Sequence, residues 1–229
     1  MWKNIRVVVL LTILLIVAVN AFRDQNQNWN KPVIVLLHPI NADGLPSTEK
    51  YIQQLQLDDF ADVKLYLEQN SRQYRGKSSY FILQIGRKLQ QTPPEMSAQS
   101  SILNNILWSL KFRYYAWQQH QSVDGSPSLT LYLNFYDPAQ TKELKHSTAL
   151  ERGRIGSVNL FAAKKQSKQN NVVLVHELLH GFGATDKYDL STGEPIFPIG
   201  YAQADKQPLD PQTEAEIMGG RVPLSQHKS

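Results

Sequence analysis

The chain has 229 residues, of which 41% are hydrophobic, 10% aromatic and 19% charged. That is enough apolar material for a substantial core, which excludes a wholly disordered chain or a polyelectrolyte tail. Lys and Arg outnumber Asp and Glu by 24 to 20 without forming a dense basic block, so no nucleic-acid partner is expected. The absence of cysteine removes disulfide scaffolds, thiolate metal sites and cysteine nucleophiles together.

Residues 7–19, VVVLLTILLIVAV, form a short apolar run behind Lys3 and Arg6 and ahead of the polar stretch 23–28. A basic start, an apolar stretch and small residues at Val19-Asn20-Ala21 make the pattern of an export signal. Such a run covers only about 20 Å of a roughly 30 Å hydrocarbon core, whereas residues 5–22 make a marginal single span. Residues 1–23 are therefore either a cleaved signal peptide or an N-terminal membrane anchor. Both readings put the remainder outside the cytoplasm, periplasmic or secreted, behind a polar tether at 24–31.

From Pro32 the chain alternates strand-like and helix-like segments. Val33–Leu37 is a continuous apolar run typical of a buried strand, ended by Pro39 and the loop at 41–44. Ser47 marks a helix start, and Asp58-Asp59 opens a longer helix to about Arg72. Tyr80–Ile85 reads as a second strand. After Pro93-Pro94 a helix is expected from about Ser97 to Gln119, with Ile102, Leu103, Ile106, Leu107, Leu110 and Tyr114 at helical spacing. Trp108, Phe112, Tyr114, Tyr115 and Trp117 are assigned to core packing. Leu129–Phe135 and Ile155–Ala162 read as further strands, separated by a charged, exposed loop, and a helix follows from about Asn171. The expectation is one α/β (α+β) domain over 32–229 with a small mixed sheet and no internal repeat.

That last helix carries His176-Glu177-Leu178-Leu179-His180, the pattern H-E-x-x-H. Positions i and i+4 stand one above the other on a helix, so both imidazoles can face one metal ion. Glu177 lies about 100° round from His176, close enough to take a proton from a metal-activated water without occupying the metal. A third ligand must come from beyond the helix. Gly183 permits the turn this needs, and Asp186 follows three residues on. Composition alone gives the bare five-residue pattern in roughly half a per cent of such chains, and the extended pattern far more rarely. A metal-free His-Glu-His cluster on so apolar a helix would need three good polar partners, a requirement that a metal meets directly.

His176-Glu177-x-x-His180-x-x-Gly183-x-x-Asp186 resembles the metzincin clan of zinc peptidases, in the snapalysin-like variant where Asp stands in place of the usual third His. The clan places a methionine turn beneath the zinc, and Glu216-Ile217-Met218-Gly219-Gly220 is similar to it. The resemblance implies a zincin fold with a buried active-site helix and one catalytic Zn2+ held by His176, His180 and Asp186. Glu177 would be the general base and a peptide or protein the substrate. It departs in two places: only nine residues follow Gly220, where the clan continues into a long helix, and Gly220 stands where some branches carry a tyrosine. A tyrosine that assists the transition state would then be Tyr188 or Tyr201. Glu194 is an alternative third ligand, disfavoured by Pro195 after it. Asp189 is expected to face solvent. The substrate would lie along an edge strand supplied by 157–162 or 129–135, with 188–209 walling the cleft.

The expected activity is therefore that of a zinc-dependent endopeptidase, a metalloprotease using water as nucleophile. The rival reading is a catalytically inactive zinc-binding or membrane-tethered interaction protein that keeps the fold, and the retained Glu177 weighs against it.

Overall fold

The computed structural model describes residues 2–96, 101–121, 127–150 and 153–224. Contacts divide the chain into two compact units, Met1–Gly183 and Ala184–Ser229, so the boundary falls inside the stretch read as one domain.

In the first unit the apolar N-terminal segment is a helix, α1 (Trp2–Gln25). It is long and apolar enough to cross a membrane, with a mean hydropathy of 2.1 over Trp2–Val19 and none of that window buried. The residues read as a tether touch the body of this unit. The Trp29 ring lies 5.0 Å from that of Phe182, and Lys77 Nζ donates to Asn30 Oδ1 at 2.7 Å.

A five-stranded sheet follows, built from β1 (Val33–Asn41), β2 (Phe81–Ile85), β3 (Leu129–Tyr136), β4 (Thr148–Ala149) and β5 (Ile155–Phe161) in the order β2-β1-β3-β5-β4. The first four in that order are parallel, and β4 pairs antiparallel with β5. The mixed α/β architecture expected from the sequence is thus present. Parallel strands are covered on both faces, which is why β1 and β3 read as nearly continuous apolar runs.

Pro39 does not end β1, contrary to expectation; the strand continues to Asn41. β2 stops at Ile85, so no β2 partner faces Pro39, and its carbonyl instead accepts from Leu89 N at 3.0 Å. A proline is tolerated where the ladder has already lost its neighbour.

Around the sheet lie α2 (Pro46–Gln53), α3 (Ala61–Arg75), α4 (Ile102–Gln118) and α5 (Ser167–Gly181). Ser101 caps α4, accepting from Asn104 N at 3.2 Å, and residues 97–100 of the helix expected there lie outside the described residues. One sheet face packs under α4 through Ile40, Leu89, Trp108, Phe112, Tyr115 and Tyr132. The aromatic tips are satisfied: Trp108 Nε1 donates to Pro94 O and the Tyr115 hydroxyl to Gln91 O. Burial pushes the Tyr115 hydroxyl up to about 12. His38 stacks on Tyr132 at 5.8 Å, and Gly86 leaves room for its ring. The core assignment of Tyr114 and Trp117 is overturned: they are 59% and 70% exposed.

The opposite face packs against α5. An Asn170 clasp sets the register: Phe161 N donates to Asn170 Oδ1 at 3.0 Å, and Asn170 Nδ2 returns a bond to Phe161 O at 2.8 Å. Asn171 Nδ2 donates to Asp59 O, tying the helix to the single 3-10 turn (Leu57–Phe60) that precedes α3. Gly181 lets the last turn of α5 close on β3, since a Cβ there would lie 2.2 Å from Leu129 Cδ1.

The second unit has no α-helix or extended strand among its described residues. Two isolated bridges, Tyr188 with Pro195 and Tyr201 with Ala215, hold its turns. Buried Gln212 acts as a polar staple, its amide bonded to Gln203 N, Gln203 O and Leu209 O.

Candidate metal centre

The H-E-x-x-H pattern occupies the C-terminal half of α5. Leu174, Val175 and Leu178 are buried and anchor the helix, while His176 and His180 are half-buried. Their Nε2 atoms face each other at 3.0 Å, with the rings nearly perpendicular. Two imidazole nitrogens held this way need a shared proton or a cation between them. Glu177 is 6% exposed on the same turn.

The helix ends at Gly181, and the chain reverses as Gly183 N donates to His180 O at 2.8 Å, with Gly183 at φ 100°. This is the left-handed backbone that the glycine was expected to provide. Ligand atoms of His176, His180 and Asp186 all lie within 4.8 Å of one another, so this group could hold a metal ion. The donor chemistry fits zinc, which takes imidazole nitrogen and carboxylate oxygen in structural and catalytic sites alike. Zinc–nitrogen bonds of about 2.0–2.1 Å put two tetrahedral nitrogens about 3.3 Å apart. The observed separation comes within a few tenths of an ångström of that. Glu194 is exposed and does not join the group.

Within the second unit, the segment after Asp186 is built around close backbone approaches. Lys187 N donates to Met218 O and Ile196 N to Lys187 O, both at 2.8 Å. Gly200 and Gly219 make this possible: a Cβ on Gly200 would lie 2.2 Å from Lys187 O, and one on Gly219 would lie 2.5 Å from Gly200 O. Met218 is buried in a tight turn where Gly219 N donates to Glu216 O and Met218 N to Glu216 Oε2. The turn at Met218 thus tethers the backbone next to Asp186.

Tyr188 is half-buried, its ring against Gly220. Tyr201 is also half-buried and packs edge-on against Phe197 at 5.3 Å. Burial raises the Tyr201 hydroxyl pKa, with Asp210 and Glu194 adding to the effect, so it stays protonated. Asp189 is exposed and binds its own turn, accepting from the Ser191 hydroxyl, Ser191 N and Thr192 N, and these bonds, the hydroxyl's first, hold its carboxyl below the usual range.

Of the two strands expected to offer a substrate-binding edge, β3 is excluded because it lies between β1 and β5. β5 pairs with β4 at Gly156 and Ser157, and Leu150 N donates to Ile155 O beside them. Beyond them Asn159 bonds the 145–147 segment through its side chain and its amide. Sequence reasoning missed Asn170 and Asn171, whose role depends on partners far along the chain. Asparagine beside an apolar helix start is too common a pairing to single them out.

No characterised protein family matches the chain by sequence, and no curated protein is similar to it.

Proposed function

We propose that this protein is a zinc-dependent endopeptidase of metzincin-like character, exported and held at or released from a membrane by its N-terminal helix. The observation that carries this reading is the convergence of His176, His180 and Asp186 at the end of α5, beside a buried glutamate. Zinc in such a site supplies Lewis acidity, lowering the pKa of water toward about 7 and polarising a carbonyl.

In this reading His176, His180 and Asp186 hold the ion. The i, i+4 spacing on a helix clasped to the sheet fixes the two imidazoles before the metal arrives. Glu177 takes the proton of the attacking water as its oxygen bonds to the peptide carbonyl carbon. The same carboxyl then gives that proton to the leaving amine as the C–N bond breaks. Tyr188 or Tyr201 donates a hydrogen bond to the developing oxyanion. Met218, through its carbonyl on Lys187, keeps the backbone beside Asp186 in place.

The test is metal content of the full chain by elemental analysis, followed by turnover of an unstructured protein substrate. Wild type should carry about one zinc per chain, in keeping with a three-ligand catalytic site. His180→Ala should lose it. Glu177→Gln should keep the zinc and lose activity by about 10²-fold or more. A wild-type chain that takes up no zinc, or a fully active Glu177→Gln, would overturn the reading.

A further inference from the structure

Helix α4 carries two apolar faces. With about 100° of rotation per residue, Trp108, Phe112 and Tyr115 fall in an arc roughly 60° wide that faces the sheet. Five aliphatic residues from Ile102 to Leu110, together with Tyr114 and Trp117, fall in a second arc roughly 140° wide, centred opposite the first, with Arg113 near its edge. Their exposure runs from 47% for Leu107 to 82% for Ile102. A helix needs only one apolar stripe to join a core. A contiguous apolar patch on this scale is uncommon on a soluble monomer and marks an interaction surface.

Three observations identify the occupant. Residues 102–118 contain Lys111 and Arg113 and no Asp or Glu, so the helix complements anionic headgroups. Tyr114 and Trp117 sit toward one end, and such rings favour the boundary between hydrocarbon and water. The same compact unit carries α1, whose Trp2–Val19 window is unburied and long enough to cross a membrane.

We propose that the outward face of α4 is an interfacial helix that lies on the surface of an anionic bilayer. α4 would thus give the protein a second membrane contact besides α1. The inference rests on the anchor reading of α1 only for how the chain reaches the bilayer. Lys111, flanking this face, would meet lipid phosphates, while Ile106, Leu107 and Leu110 enter the acyl boundary.

The absence of native cysteine makes the test direct. Full chains with Leu107→Cys, Gln69→Cys on the exposed side of α3, or Leu10→Cys in α1 are labelled with an environment-sensitive fluorophore. They are then reconstituted into phosphatidylcholine vesicles with and without phosphatidylglycerol, using nitroxide-labelled lipids as quenchers. The expected result is a blue-shifted label at 107, quenched several-fold more than at 69 and more strongly with the anionic lipid. A quenched label at 10 beside a wet label at 107 would overturn the inference and leave the anchor standing. A label quenched at 107 but not at 10 would support α4 and overturn the anchor. Labels unquenched at both sites would overturn both. A blue shift at 107 without lipid quenching, with unlabelled Leu107→Cys chains cross-linking to one another, would assign the face to a second copy of the chain and overturn the inference.

Discussion

Helices α4 and α5 both pack an apolar side against the sheet, yet α4, the more apolar of the two, leaves far more of its apolar surface uncovered. In α5 Leu174 and Leu178 face the sheet and are fully buried, and the turn before α3 reaches the helix through Asp59 and Asn171. In α4 one side is equally well packed, with Phe112 fully buried, yet the other leaves Leu110 58% and Trp117 70% exposed. The difference lies in neighbours. Apolar periodicity tells which residues avoid water in the end, but it does not say whether protein or something else removes the water. α5 spends its polar residues on being located, through the Asn170 clasp and the histidine pair. α4 is held by its Ser101 cap and by two aromatic tips bonded to loop carbonyls.

The largest expected effect tests the packed side of α4. Phe112 touches Trp108, Tyr115 and Tyr132, so Phe112→Ala should cost about 3–5 kcal/mol of unfolding free energy by urea titration. A loss below about 1 kcal/mol would mean that α4 is not docked through this face. On α5, Asn170→Ala removes both bonds of the clasp and strands the buried Phe161 N–H, while the Phe161 carbonyl keeps its bond from Ala163 N. For one stranded group the cost should be about 1–3 kcal/mol. Zinc affinity should fall with it, because the register of His176 and His180 depends on the clasp. A variant that keeps both stability and zinc would remove the contrast between a located helix and a merely packed one.

These contrasts show which parts of the structure were legible in the amino-acid order. Strands at Val33, Phe81, Leu129 and Ile155 were readable because buried parallel strands write themselves as unbroken apolar runs. His176, Glu177 and His180 were readable because helical geometry fixes i, i+4 pairs, and Asp186 because Gly183 announces the turn before it. Pro39 misled, since a proline stops a strand only where a neighbour is waiting for its N–H. The two residues of β4 are too few to leave a pattern. The core assignment of Tyr114 and Trp117 fails because an aromatic ring at helical spacing reads the same whether a sheet or a solvent boundary lies beyond it. Asn170 was invisible because its partner, Phe161, is meaningful only once the sheet exists.

His38 extends the comparison to histidines under the two helices. His176 and His180 are half-buried and face each other, whereas His38 is 1% exposed beneath α4. Its Nδ1 bonds Arg87 O at 2.9 Å, so Nδ1 carries the proton and Nε2 is the bare nitrogen of a neutral ring. Burial, its largest cause, holds the His38 pKa below the ordinary 6.5, with the Arg87 charge adding to it and the Arg87 carbonyl opposing it. The unfolded chain therefore binds this proton first. The stability contributed by keeping His38 neutral is complete above pH 6.5 and declines as pH falls toward the lower folded value. Metal-free chain should lose urea resistance between about pH 7.5 and 5.5, and His38→Gln should lose less over the same interval. Equal slopes in the two proteins would show that His38 is not the group responsible.

The smallest effect is the most informative about α4. Leu107→Gln and Leu110→Gln keep nearly the same helix propensity while removing apolar surface that is 47% and 58% exposed. Surface substitutions of this kind shift stability by no more than about 0.5 kcal/mol, against the several expected for Phe112→Ala one turn away. The expected outcome is an unchanged urea midpoint in detergent solution together with weaker retention on anionic vesicles. Because the two substitutions alter the outward face without touching the core cluster, stability and lipid retention can be read as separate quantities. A loss of about 2 kcal/mol or more, of the size that burial of a large side chain contributes, would mean that protein covers this face in solution. α4 would then be a core helix like α5.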